Sequence, residues 1–332
     1  MKKPIVFILC LLSIASVFAE GSKETSSAQS SKPVVLKFGV NGNTTSVEYT
    51  VAVRFADTLK DLSGGSLSCE IFPNGQLGNA KEMISQISMN ELDAYMEPIG
   101  GVSTLIPELS VLEMAYVVRD LDHIASILES DWGQKIQDQL KNDYNIRVLD
   151  QTLFGTRQTS SNKPLHSIAD YKGLRIRTPN SRGLKDWAEA MGGRPTTIAF
   201  SEVYLALKTN SVDAQENPLP TIESMKFYEA QKAIAIDNHV VQDKSILFSE
   251  KRWQSLNDKQ HEWLKAAAKA ANEESINTIT RNSRKLIQFF KDQGLEITYP
   301  DTAPMRKAMA PYYAKIEQEL NVPGLVEKLA GL

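Results

Sequence analysis

From Asn257 to Gln293 the chain contains neither proline nor glycine, and Gly294 follows at once. No other stretch limits the possible folds so tightly. Trp263, Leu264, Ala267, Ala271, Ile279 and Phe290 recur through it at close to helical spacing. A single helix of about 36 residues would be about 54 Å long, at roughly 1.5 Å per residue. That exceeds what one ordinary lobe needs, so such a helix would span two. The same residues also fit two shorter helices with a break between Asn272 and Ser275.

The rest of the chain alternates strands and helices. Val34–Val40 reads as a strand closed by Asn41-Gly42-Asn43, and Thr44-Thr45-Ser46 can cap a helix carrying Val47, Val51, Phe55, Leu59 and Leu62. Leu67–Phe72 is a second strand, Asn79 caps a helix with Met83, Ile84 and Ile87 on one face, and Asp93–Met96 is a short strand ending at Glu97-Pro98. Further on, Ile146–Phe154, Gly173–Thr178 and Thr196–Phe200 read as strands. Asn180 or Ser181 caps a helix that turns Leu184, Trp187 and Met191 inward, and Ser201 caps another. Two α/β units of similar grammar imply two lobes over a parallel or mixed sheet, with a ligand cleft between them.

The chain's start indicates export. Lys2-Lys3 precedes a run of about 14 mostly apolar residues, Ile5–Phe18, shorter than the ~20 a membrane span needs. Val17-Phe18-Ala19 fits a small-x-small cleavage site, so residues 1–19 are expected to be a signal peptide and 20–33, rich in Ser, Lys and Glu, a flexible tether. Cleavage would leave Cys69 as the single cysteine, which excludes an internal disulfide. Leu67-Ser68-Cys69-Glu70-Ile71 alternates, which reads as a buried strand thiol. A formal net charge of −3 without a clustered basic stripe gives no nucleic-acid footprint.

Motifs for catalysis are missing. There is no G-x-S-x-G elbow, phosphate loop or G-x-G-x-x-G turn. His261-Glu262 begins like a zinc-protease motif, but Lys265 stands where its second His belongs, and the four histidines lack metal-ligand spacing. Neither an enzyme, a metal nor a cofactor is expected. The informative run is Gly173-Leu174-Arg175-Ile176-Arg177-Thr178-Pro179-Asn180. Alternation turns Leu174 and Ile176 to the core and both arginines away from it, with Arg177 at the strand's carboxyl end. Ligands of open α/β sheets bind outside such ends, and a guanidinium there can hold a carboxylate through two parallel bonds. By composition alone, though, solvated surface charge is the better reading of both arginines. Asn217, extended because it precedes Pro218, offers amide donors. Arg157 just after a strand, Glu97 before Pro98 and Phe200 at a strand end carry little by themselves.

Taken together and in order, these runs resemble the substrate-binding subunit of TRAP (tripartite ATP-independent periplasmic) transporters, the DctP family, and its sialic-acid-binding branch in particular. The resemblance rests on Gly155-Thr156-Arg157-Gln158-Thr159, Ser167–Asn180, Ala199–Leu207, Val212–Pro218 and Lys226-Phe227-Tyr228-Glu229, and it covers roughly Leu36 to Leu320. It implies a two-lobed periplasmic-binding-protein fold with a lobe-spanning helix. One lobe would be 34–154 with 243–282, the other 155–242 with 283–332. It implies that Arg177 makes the main salt bridge to a ligand carboxylate, and that Arg157 and Asn217 also meet the ligand. Asn41, Glu97, Asn180 and Phe200 fall on further cleft positions. It implies a small-carboxylate ligand, TRAP membrane permease subunits as partners, a periplasmic location and a monomer.

Two positions depart from the sialic-acid pattern. That branch has an arginine three residues after the residue matching Glu97, where this chain has Gly100, and an acid where this chain has Asn79. Both concern the sugar end. A hexuronate or another organic acid therefore fits at least as well as sialic acid. A C4-dicarboxylate binder and a sensor-coupled binding protein are the alternatives.

Overall fold

The structure is a computed structural model that describes residues 33–332, and the side chains of all of these except 153 and 280–284. The expected signal peptide and nearly all of the expected tether lie outside the described residues. Among the described residues nine strands form one sheet. They are β1 (Val34–Gly39), β2 (Leu67–Phe72), β3 (Ala94–Glu97), β4 (Ile146–Ser161), β5 (Arg175–Thr178), β6 (Arg194–Thr197), β7 (Ala214–Pro218), β8 (Ala233–Ser249) and β9 (Glu296–Thr298).

The strand order is β2-β1-β3-β8-β4-β7-β5-β6, with β9 paired to β8. β1 runs parallel to β2 and β3, and β5 runs parallel to β6 and β7. The two parallel triplets therefore repeat one topology without repeating a sequence. Each triplet is edged by a long antiparallel strand, β8 against β3 and β4 against β7. β4 and β8 pair with each other along the centre, which joins the two α/β halves.

The long segment is one helix, Asp258–Asp292, 35 residues without a break at Asn272–Ser275. Asn257 caps it reciprocally with Gln260. Its Leu264, Ala267, Ala268 and Ala271 pack with Leu36, Phe38, Phe55 and Leu59 of the first half. Its Phe290 joins Val203, Leu207, Ile222 and Phe227 of the second. A third apolar cluster runs through both halves, from Met83 and Ile87 to Trp187, Leu184 and Met305. Burying a Phe or Leu side chain is worth about 1.5–3 kcal/mol, so the helix ties both halves to their own cores.

Caps fall where the sequence indicates. Ser46 accepts from the Tyr49 amide, Asn79 forms a capping box with Glu82, and Ser181 accepts from the Leu184 amide. Four expectations need correction. β4 does not stop at Phe154 but continues to Ser161, so Arg157 lies within a strand rather than after one. Three register shifts let it continue, one of them at Gly155, whose φ of +119° favours glycine. β5 begins at Arg175, because Gly173 turns with φ +78°. β6 is Arg194–Thr197, since pairing Arg175 with Arg194 fixes its register and Phe200 opens a 3₁₀ turn instead. The next helix, Val203–Lys208, has Glu202 rather than Ser201 at its N-cap, with no side-chain bond. Cys69 is half-buried, and burial followed by the nearby Asp93 charge pushes its thiol up to about 12.

Candidate functional site

The carboxyl ends of both parallel triplets open on one cavity of about 580 Å³. Asn41 follows β1, Asn79 lies beyond β2 and Glu97 ends β3. In the other half Arg177 and Asn180 come at and after the end of β5, Phe200 after β6, and Asn217 near the end of β7. Arg157 enters from β4. All these residues, picked from the sequence, line the same cavity. The fold brings them together because each half points its strand ends inward.

The two arginines of β5 part company. Arg175 is largely exposed and paired with Asp213, its Nη2 2.7 Å from Oδ1. Arg177 is 2 % exposed. Its Nε and Nη2 both donate to the Ile198 carbonyl, at 3.0 and 2.8 Å. Its guanidinium carbon lies 5.9 Å from the Phe200 ring centre. Among the described residues no carboxylate comes within ion-pairing distance of it. Burial pulls its pKa down to about 9, with Glu216 opposing and Arg157 adding to the shift. The surface-charge reading thus holds for Arg175 and fails for Arg177.

Arg157 is fully engaged. Its Nε and Nη2 pair with the Glu216 carboxylate, and Nη1 donates to Gln242 Oε1 at 2.7 Å. Glu216 also faces His239 Nε2 at 3.2 Å, and His239 Nδ1 lies 2.8 Å from Asp237 Oδ1. Burial opposes the charge on His239, but Asp237 and Glu216 outweigh it and raise its pKa, which favours an imidazolium donating to both. Trp187 stacks on that ring at 4.0 Å. Burial would likewise raise the Glu216 pKa, yet Arg157 and His239 hold it below the ordinary carboxylate value. This network fixes the Arg157 head group from behind.

On the first half, Asn41 Nδ2 donates to the Tyr95 hydroxyl and that hydroxyl to Glu97 Oε2, each at 2.5 Å. Asn217 Nδ2 donates to Gln215 Oε1 at 2.7 Å. The Asn79 side chain is occupied in its capping box, and Asn180 Oδ1 accepts from Lys185 Nζ at 3.3 Å.

Several lining residues escaped the sequence reading. Lys244, buried in β8, pairs with Glu48 at 2.7 Å and lies 5.1 Å from the Phe154 ring centre. Burial would lower its pKa, but Glu48 and then Glu97 raise it. Gln242 and Glu113 also line the cavity. Gln242-Asp243-Lys244 is a polar interruption between apolar Val240-Val241 and Ile246-Leu247, and that was the available signal. Glu113 ends a 3₁₀ turn, Pro107–Glu113, and had none.

A continuous two-half sheet with one charged cavity at its strand ends defines a protein that encloses a small polar solute between two lobes. The chain belongs to the DctP family, bacterial extracellular solute-binding protein family 7, whose profile it matches over residues 38–319. It is 40 % identical over 297 residues to the sialic acid-binding periplasmic protein SiaP of Vibrio cholerae, covering 90 % of this chain and 92 % of that one. It is 29 % identical over 263 residues to the 2,3-diketo-L-gulonate-binding periplasmic protein YiaO of Escherichia coli, covering 79 % and 80 %. A crystal structure of a TRAP periplasmic solute-binding protein from Roseobacter denitrificans with bound L-galactonate superposes with a TM-score of 0.83 at 26 % identity, covering 90 % of this chain and 99 % of that one.

Proposed function

We propose that this chain is the periplasmic solute-binding subunit of a TRAP transporter, and that it holds a sugar acid with the carboxylate on Arg177. The observation that carries this is the guanidinium itself. It is buried, it lines the cavity, and among the described residues it has no counter-ion. A buried charge without a partner is costly, and a ligand carboxylate would relieve that cost. Arg157 and Asn217 lie at the same wall and would add donors once the ligand displaces or shares their present partners. Sialic acid, 2,3-diketo-L-gulonate and L-galactonate, named for the relatives, are all sugar acids.

In this reading 34–154 with 243–282 forms one lobe and 155–242 with 283–332 the other. They close on the ligand, and the closed monomer docks on the membrane permease subunits. The ligand leaves unchanged. A thermal-shift screen against sialate, galactonate, glucuronate and 2,3-diketogulonate tests the proposal. A cognate acid at about 100 times its Kd adds about 2.7 kcal/mol of stability. Arg177→Ala should weaken that acid roughly 100-fold or more. A variant that binds with near-normal affinity would show that the carboxylate sits elsewhere.

A further inference from the structure

The charges lining the cavity pair off unevenly. Among the described residues three buried cations line it. Arg157 is paired with Glu216 and Lys244 with Glu48, which leaves Arg177. Lys81 and Glu202 at the rim are exposed, opposite in sign and screened by water. The unpaired positive charge therefore matches one carboxylate.

The acids pair off unevenly too. Glu97 and Glu113 line the cavity without an ion-pair partner among the described residues, and Asp243 is buried behind them, accepting from the Ile99 amide and the Ser245 hydroxyl. Glu113 is 7 % exposed, and its Oε2 has no hydrogen-bond partner among the described residues. That oxygen is also closed to solvent, so the carboxylate stands at the cavity wall with part of its charge offset by no donor. The backbone is shaped around these two acids. A Cβ on Gly100 would sit 2.4 Å from Glu113 Cγ, and one on Gly101 would sit 2.6 Å from Glu97 Oε1. The glycine pair is thus where two carboxyl groups fill the space of missing side chains.

We propose that Glu113, backed by Glu97, makes this cavity selective for acids with a single carboxylate: Arg177 takes the carboxylate, the hydroxyl-bearing end of the same ligand lies toward Glu113, and a second carboxylate is refused. The inference rests on the reading of Arg177 as the carboxylate seat. It assigns the ligand to the monocarboxylate sugar acids and excludes C4-dicarboxylates and aldarates. A second carboxylate would meet like charge at a wall whose neighbouring cations, Arg157 and Lys244, are already paired with Glu216 and Glu48, and like-charge juxtaposition of this kind gives strong discrimination.

The test compares monoanions (galactonate, glucuronate, sialate) with dianions (galactarate, glucarate, succinate) by calorimetry at about pH 8, for the wild type, Glu113→Gln and Glu113→Asp. In the wild type at least one monoanion binds, and every dianion is weaker than the best monoanion by about 100-fold or more. Glu113→Gln, which keeps the shape and removes the charge, should tighten at least one dianion by about 10-fold, while Glu113→Asp keeps the refusal. A dianion that binds the wild type as tightly as the best monoanion overturns the proposal. So does a Glu113→Gln variant that leaves every dianion unchanged, even if monoanion binding persists. If no acid binds at all, the Arg177 seat falls and this inference falls with it.

Discussion

Arg177 and Glu113 are opposite cases of one physical situation, a buried ionisable group lacking a complementary charge. For Arg177 the pKa falls but stays near 9, so the cation persists at neutral pH, as the proposed carboxylate seat requires. For Glu113 burial lifts the carboxyl to about 7, with Ser181 and Arg157 opposing and Glu97 and Asp243 adding, so neutrality and charge are balanced near physiological pH. That balance has a stability consequence with a definite sign. The folded state holds this proton more tightly than the unfolded chain, whose value is near 4.5. The contribution is therefore complete below about pH 4.5 and is lost as pH rises through about 7, a change of about 3 kcal/mol. Asp243, raised by burial from 3.8 to about 6, runs the same way over a lower window. His239, whose pKa is also raised, adds stability on the acid side as well. The ligand-free protein should melt higher at about pH 5.5 than at about pH 8, and Glu113→Gln should flatten the upper part of that curve while raising the melting temperature at pH 8. Parallel curves for the two proteins, measured by calorimetry, would contradict the assignment. The same acid that is proposed to choose the ligand thus weakens the ligand-free fold at neutral pH, a common cost of a functional site.

At the scale of elements, what the sequence made legible follows from which signals are local. Caps are local, so Ser46, Asn79 and Ser181 were found at their helix starts. β1, β2, β3 and β5 were found within two residues, β6 was displaced by two to three, and β7 and β9 were not read as strands. β4 was cut short because its second half is polar. Arg157, Gln158, Thr159, Ser160 and Ser161 are all buried there, and only pairing with β7 and β8 on both sides satisfies such a strand. No window of sequence reveals two neighbours that arrive from 214–218 and 233–249. The site was legible as far as strand-end position and resemblance carried it, through Arg177, Arg157 and Asn217. Lys244 and Glu113 depend on a central strand and an irregular turn, and stayed hidden. The Asp258–Asp292 helix could be read as one helix or two, and the structure decides for one. Glu273 is exposed within it, so Glu273→Pro removes no packing and probes the backbone alone. In a continuous helix that substitution should cost about 3 kcal/mol or more, read from urea unfolding. A chain with a natural break there would lose well under 1 kcal/mol. The helix packs on both halves, so the loss should also lower ligand affinity by loosening their mutual placement.

For the whole molecule, the proposed cycle requires two halves that share one sheet to open and close. β4 and β8 run through the centre, and three register shifts interrupt their pairing, at Val148/Asp150, Leu153/Gly155 and Arg157/Thr159. Such irregularities are where a paired ribbon can bend without losing its ladder. A ligand shifts the open–closed balance only by the difference in its affinity for the two arrangements. Arg177 and Phe200 come from one half, Asn41, Glu97 and Lys244 from the other, so in the proposed cycle the closed arrangement is the one that lets a ligand meet both sets. Direct contacts between the halves add to that difference. One lies in the loop after β1, where Asn43 Nδ2 donates to the Ser224 carbonyl at 2.8 Å, at the end of helix Leu219–Ser224. Asn43 Oδ1 meanwhile accepts locally from the Thr45 amide and hydroxyl. Asn43→Asp keeps that acceptor, removes the donor and sets a negative charge against the carbonyl, so the loop survives while the bridge does not. Losing a hydrogen bond of this kind costs about 0.5–1.5 kcal/mol, and the added repulsion increases it. Ligand release, followed by stopped-flow fluorescence, should therefore quicken by about 10-fold, with the association rate and the ligand-free melting temperature nearly unchanged. Equal release rates in the two proteins would mean that this contact persists in the open form or contributes nothing to closure. The ligand's own bridging between walls would then supply the whole difference.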